Sequence, residues 1–267
     1  MRRRRLRRLT GTVRRIAADL IARAVLGNGF RPRHHTAFPL ADGLYGGPAG
    51  PELPLLVLGD SIAASVGAST AEETLGARCA AHLGRAARRP VRLRVLARPG
   101  TTTGFMKHQV RRALRHPQPP GIALIIVGGN DIVAGTPLGL AVYALLRHVT
   151  RLRAAGWHVL VGTCWDVGDV PAVRHRLRRA LSRRSRRLER LQTAAARRAG
   201  AVVVPLRDPR HGSRPDLFAA DRVHPSALGN ALHLEALTAA LGECLAHHQG
   251  APGQGVRGSS SGMTPDP

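Results

Sequence analysis

Aromatic side chains are scarce: Phe, Trp and Tyr make up 3% of the 267 residues. Stacking of bases on aromatic rings is hardly available, so no specific nucleic-acid partner is expected despite a formal net charge of +25. Lysine is scarcer still. Lys107 is the only one, which leaves 40 arginines among the 41 basic residues, the bias of a GC-rich genome. A phosphate-binding loop needs Gly-Lys followed by Ser or Thr, whereas Lys107 follows Met106, and nucleotide hydrolysis has no anchor. Cys79, Cys164 and Cys244 are odd in number and widely spaced, which fits neither a disulfide framework nor a CxxC metal site and points to a reducing compartment. Long apolar runs are missing too. Leu53 to Leu58 and Ile122 to Val127 fall far short of the roughly 20 residues that span a bilayer.

The 43% hydrophobic content is ordinary for a globular protein, so a real core can form. The positive charge is concentrated. Residues 1 to 25 hold nine Arg and one Asp, and residues 172 to 199 hold eleven Arg and one Glu, together 18 of the 25 net charges. The first segment resembles a basic leader, but Arg14, Arg15, Asp19 and Arg23 interrupt any apolar stretch of roughly 7 to 15 residues that a secretory signal needs. Leu6, Leu9, Val13, Ile16 and Leu20 instead recur at helical steps, giving a basic amphipathic helix over residues 1–26. Such a helix either lies reversibly on an anionic membrane surface, through residues 1–25, or docks on its own domain. The expected location is cytoplasmic, peripheral to the inner membrane face in the first case.

A Gly- and Pro-rich connecting segment follows over residues 27–52, and residues 248–267 read as a disordered tail. Between them, over 53–247, short apolar runs alternate with helical patterns. Leu53 to Leu58, Val91 to Ala97, Ile122 to Val127, His158 to Gly162 and Ala201 to Pro205 read as strands. Ala71 to Arg88, Gly104 to Arg115, Leu138 to Ala155 and Val173 to Ala199 read as helices, with a last one after Pro225. In the arginine-rich helix, Val173, Leu177, Leu181, Leu188, Leu191 and Ala195 form the expected buried stripe, and a solvated arginine face is the simpler reading of the rest. Continuous apolar strands alternating with helices imply a parallel sheet covered on both faces. Ligands in such sheets bind beyond the carboxyl ends of the strands.

Those ends carry small polar groups. Gly59-Asp60-Ser61 puts a serine at the tip of a tight turn, close to a helix start whose N–H groups point at a developing anion. Asp221-Arg222-Val223-His224-Pro225 places a carboxylate where it can hold an imidazole, just before a helix whose first turn suits Pro225. An Asp that orients a His, which in turn deprotonates a Ser, is triad logic. The backbone N–H groups of Ser61 and Gly100 and the side-chain amide of Asn130 can donate to an oxyanion.

Gly59-Asp60-Ser61, Gly100, Gly129-Asn130-Asp131 and Asp221-x-x-His224-Pro225 resemble, in order and spacing, the four sequence blocks of the SGNH/GDSL hydrolase family. Thr163-Cys164-Trp165-Asp166 and Leu217-Phe218-Ala219-Ala220-Asp221 look most like an actinobacterial branch. The resemblance implies a three-layer α/β/α sandwich with a five-stranded parallel sheet. It also implies Ser61 as nucleophile, His224 as base, Asp221 as its partner, and Ser61, Gly100 and Asn130 as oxyanion donors. Ile62 stands where the family name has leucine.

Other motifs carry less. Gly258-Ser259-Ser260-Ser261-Gly262 has the letters of a nucleophile elbow but no strand before it. His211, Asp216, Asp221, His224 and His233 lack the short spacings of zinc ligands, so neither metal nor cofactor is expected. The expected activity is a monomeric serine esterase acting on a small acyl ester through an acyl-Ser61 intermediate. Transfer of the acyl group to a sugar or lipid hydroxyl is the alternative on the same site, with Trp165, Asp166 and the loop from Asp208 to Phe218 as the acceptor wall. An inactive domain that binds anionic surfaces is the second alternative.

Overall fold

Leu53–Gly59 (β2) is apolar at almost every position, and its side chains divide between the two faces of a sheet: Leu53, Leu55 and Val57 enter one core, Leu56 and Leu58 the other. Ile122–Ile126 (β4) divides in the same way, with Ile122, Leu124 and Ile126 on the first face and Ala123 and Ile125 on the second. Two cores on one sheet require helices on both sides, as the sequence pattern predicts. The structure, a computed structural model, describes residues 24–26, 38–115 and 119–250.

The remaining strands are Gly43–Tyr45 (β1), Val91–Val95 (β3), His158–Gly162 (β5) and Val202–Val204 (β6), in the order β1-β3-β2-β4-β5-β6. All neighbours from β3 to β6 pair in parallel, whereas β1 pairs antiparallel with β3. The sheet therefore has six strands rather than the expected five. The addition is a three-residue edge strand inside the Gly/Pro-rich segment, where its short Gly-Leu-Tyr sequence shows no apolar run.

Leu75–Ala87 (α1) and Ala227–Gly250 (α7) cover one face. Lys107–Arg115 (α2), Leu138–Ala154 (α4) and His175–Arg198 (α5) cover the other, with short helices at Gly129–Val133 (α3) and Arg210–Ser213 (α6). Thr74 sets the start of α1 by accepting the Ala77 N–H, four residues beyond the expected beginning. α7 runs to Gly250, so residues 248–250 are helical rather than tail. The rest of the tail, and residues 1–23 of the basic helix, lie outside the described residues. Ala24–Leu26 are helical, Leu26 is buried in the first core, and the Val25 carbonyl accepts the Arg174 N–H at 3.1 Å. None of the described helices is long and apolar enough to cross a membrane.

β2 and β4 are neighbours, and the connections that leave them run to opposite faces of the sheet, β2 to α1 and β4 to α4. The carboxyl ends of β2 and β4 form the crevice where such sheets hold ligands.

Candidate active site

β2 delivers its end directly into that crevice. Gly59 has φ +138°, and a Cβ there would overlap the Ile126 carbonyl on the neighbouring strand, so only glycine lets the chain turn this close to β4. The Asp60 N–H donates to the same Ile126 carbonyl at 3.1 Å. Asp60 is 2% exposed, and its carboxylate accepts the Ile62 N–H at 3.0 Å, which pins the turn on either side of Ser61. Burial pushes the Asp60 carboxyl up to about 7, against the pull of the Ile62 and Gly128 N–H groups and of His224.

Ser61 opens a compact turn, as expected, but the helix start expected close to it comes only at Leu75. The Ala64 N–H reaches the Asp60 carbonyl at 3.0 Å and the Val66 N–H reaches the Ser61 carbonyl at 2.9 Å, and the chain then leaves the turn at Gly67. The N–H groups beside Ser61 thus belong to a turn, not to a helix N-terminus. Ser65, at φ 56°, ties this turn to α1 by accepting the Leu75 N–H at 2.8 Å.

The Asp221–His224 segment meets the turn from the other side. Asp221 Oδ2 lies 2.6 Å from His224 Nδ1, while Oδ1 accepts the N–H groups of Val223 and His224 at 2.9 and 3.0 Å. Burial would raise the Asp221 carboxyl, but the bond and charge of His224 and these two amides outweigh it and hold the carboxyl below its ordinary value. The Ala219 N–H caps the His224 carbonyl at 2.8 Å and closes the loop on itself. A Cβ on Gly67, at φ +104°, would stand 2.5 Å from the Pro225 carbonyl oxygen and 3.3 Å from His224 Cβ. The serine turn and the histidine loop are therefore in direct contact.

The other two blocks meet on the opposite flank. The Asn130 amide donates to the Thr101 carbonyl at 3.2 Å, next to the exposed Gly100 at φ +76°. Asp131, fully buried, accepts from both the backbone N–H and the hydroxyl of Thr103 at 2.8 Å. Thr103 in turn offers its carbonyl to the buried His148 at 3.0 Å. Ser61, Gly100, Asn130, Asp221 and His224 are thus brought to one end of the sheet.

Trp165 and Asp166 are placed differently from expectation. Trp165 is 7% exposed, ringed by His211, Phe218 and His233, with its indole N–H against Gly129, so it backs the Asn130 turn rather than facing solvent. Asp166 turns away: its carboxylate caps the turn Val167–Asp169 by accepting the Gly168 N–H at 3.0 Å, and Arg186 lies 3.5 Å from it. The strand end that looked like a substrate wall is spent on starting the next turn. Among the described residues no group of His, Cys, Asp and Glu is arranged to hold a metal ion.

Two site-building residues escaped sequence reasoning. Gln109, on the buried face of α2, bonds both the N–H and the carbonyl of Gly59 and also reaches Thr101 Oγ1 at 3.2 Å. Gln192, on α5, accepts the Cys164 N–H at 2.8 Å and donates to the Val127 carbonyl at 2.9 Å. These glutamines fasten the ends of β2, β4 and β5 to the helices beside them. The only signal for them was a polar residue in register with buried positions.

Comparison with known proteins agrees with this arrangement. Residues 57–232 match the model of the GDSL-like Lipase/Acylhydrolase family. A GDSL-like esterase of Mycobacterium tuberculosis is 37% identical over 240 residues, 85% of this chain and 76% of that protein. Among solved structures, the psychrotrophic esterase EstA from Pseudoalteromonas sp. superposes with a TM-score of 0.56 at 19% identity, covering 72% of this chain and 98% of its own. A lipolytic G-D-S-L family protein from Veillonella parvula gives 0.55 at 17% identity, covering 70% and 95%. The chain belongs to the GDSL-like lipase/acylhydrolase family and is a serine hydrolase of the SGNH type.

Proposed function

We propose that the protein hydrolyses a small acyl ester through an acyl-Ser61 intermediate. Ser61 Oγ attacks the ester carbonyl carbon while His224 takes its proton. The tetrahedral intermediate collapses as the protonated imidazole returns that proton to the leaving alkoxide, which departs as the alcohol. A water molecule, deprotonated by His224, then attacks the acyl carbon, and Ser61 leaves with the proton restored. Asp221 holds the imidazole tautomer and stabilises its charged form. The Ser61 and Gly100 amides and the Asn130 side chain receive the negative charge on the former carbonyl oxygen.

The observation that carries this reading is the 2.6 Å Asp221–His224 pair seated against the turn that begins at Ser61. A cleft of about 290 Å³ between Phe105 and Lys107 on one side and Thr136, Leu140 and Ala141 on the other includes Thr102, two residues past Gly100, but none of the residues assigned to the chemistry. For transfer to a second hydroxyl, Trp165 and Asp166 drop out of the proposed acceptor wall because they are buried and engaged elsewhere, and the largely exposed loop from Asp208 to Phe218 is the part that remains. The proposed lipid contact of residues 1–25 rests on their sequence alone, since residues 1–23 lie outside the described residues.

The test is turnover of para-nitrophenyl esters of increasing acyl length by the wild type and by Ser61→Ala. The expected result is a loss on the order of a thousandfold or more in the variant, with preference for short chains. Equal rates for the two proteins would refute it.

A further inference from the structure

The outer face of α5 is a charged surface that the ester chemistry leaves unused. Arg176, Arg179, Arg183, Arg187, Arg190 and Arg197 recur at steps of three, four and seven, so they fall on one stripe, and all six are exposed. The opposite side of the helix carries Ser185, Leu188, Gln192 and Ala196, which are buried. This differs by about one residue from the apolar stripe read in the sequence: Gln192, polar but fully bonded, takes the place assigned to Leu191, which is 38% exposed and borders the arginines. From Arg176 to Arg197 the stripe extends over about 32 Å.

Counter-charge beside it is limited to Asp169, which lines a cleft at one edge of the helix. Glu189, the one acidic residue of the helix, is taken by Arg207 at 3.1 Å, and Asp166 lies near Arg186 instead. Among the described residues none of the six stripe arginines has an acidic partner within ion-pair distance. Like charges three and four residues apart repel, so the face is raised in energy until anions approach it. A cleft of about 380 Å³ opens on the same helix between Gly168 and Asp169 and the side chains of Arg178, Arg179, Ser182 and Arg183. Finally, the Val25 carbonyl binds the Arg174 N–H just before the helix begins, so the chain carrying the nine N-terminal arginines joins the domain at this end.

We propose that the outer face of α5 docks the enzyme on an anionic phospholipid surface, with lipid phosphates along the arginine stripe and at the Arg178–Arg183 cleft. A straight row of guanidinium groups matches a plane of phosphates, each of which can be held by two N–H donors. The helix has no Phe, Tyr or Trp on which a base could stack, only His175 at its first position, and the apolar Leu191 beside the stripe suits the bilayer interface better than a nucleic-acid backbone. The proposal stands apart from the Ser61 chemistry, since the stripe touches none of the residues assigned to it.

The experiment compares the full chain with the variant Arg179→Gln, Arg183→Gln, Arg187→Gln, Arg190→Gln by co-sedimentation. Vesicles are phosphatidylcholine with about a third phosphatidylglycerol, or phosphatidylcholine alone, at low and high salt. The expected result is partition of the wild type onto anionic vesicles at low salt, weakened by salt and reduced roughly 600-fold in the variant, at about fivefold for each of the four arginines. Melting temperature and turnover of para-nitrophenyl acetate remain unchanged, which shows that the variant is folded. Equal partition of the two proteins, or no partition of the wild type, overturns the proposal. So does wild-type binding to a random DNA duplex that is lost in the variant while neither protein partitions onto vesicles.

Discussion

Gln109 pairs with Gly59 through both ends of its side-chain amide: Oε1 accepts the Gly59 N–H at 2.8 Å and Nε2 donates to the Gly59 carbonyl at 2.8 Å. The residue just before the Asp60-Ser61 turn is thereby held on both its backbone groups, its carbonyl also accepting the Arg98 N–H at 3.1 Å. Gln109→Leu keeps the volume and removes both bonds, leaving the buried Gly59 N–H without a partner while its carbonyl keeps the Arg98 N–H. The expected cost is about 2 kcal/mol, read as a lower urea midpoint with an unchanged slope. An unchanged midpoint would show that the pairing contributes nothing.

Gly67 is the contact point between the serine turn and the histidine loop. Gly67→Ala places a methyl group at φ +104° and against the Pro225 carbonyl, so the loop carrying His224 has to retreat. The expected outcome is a kcat reduced by at least about tenfold with KM little changed, because proton transfer depends on the approach of His224 and substrate contacts remain. A variant with full turnover would show that this close approach is dispensable.

Asp60 gives a pH signature. In the unfolded chain its carboxyl loses the proton near 3.8, whereas the buried carboxyl keeps it up to about 7. Between those values the folded state binds more protons. Its contribution to stability is therefore full below the unfolded value and is lost as pH rises toward about 7. Carboxyl carbon NMR of the native protein should show Asp60 titrating near neutrality. A midpoint near 3.8 would contradict the burial argument.

The strands were legible in the sequence because a parallel sheet covered on both faces needs apolar residues at every position, as in Leu53–Leu58 and Ile122–Ile126. The five residues assigned to the chemistry were legible because each follows directly on a strand end or precedes the last helix. β1 was not, since three residues between glycines at a sheet edge bury too little to leave a pattern. Gln109 and Gln192 were missed because periodicity assigns polar residues to solvent, and only the fold reveals that strand ends offer backbone partners in their place. Asp166 was read as part of the site because it stands at a strand end like the others, but its neighbour Gly168 draws its carboxylate into a cap.

The proposed covalent step is tested most directly by mass spectrometry of protein quenched during turnover of a slowly deacylating para-nitrophenyl ester. The expected result is one acyl adduct mapped to the peptide containing Ser61, absent from Ser61→Ala and accumulating in His224→Ala far more slowly than in the wild type. Ester turnover by the wild type with no adduct at Ser61, together with undiminished turnover by Ser61→Ala, would contradict it.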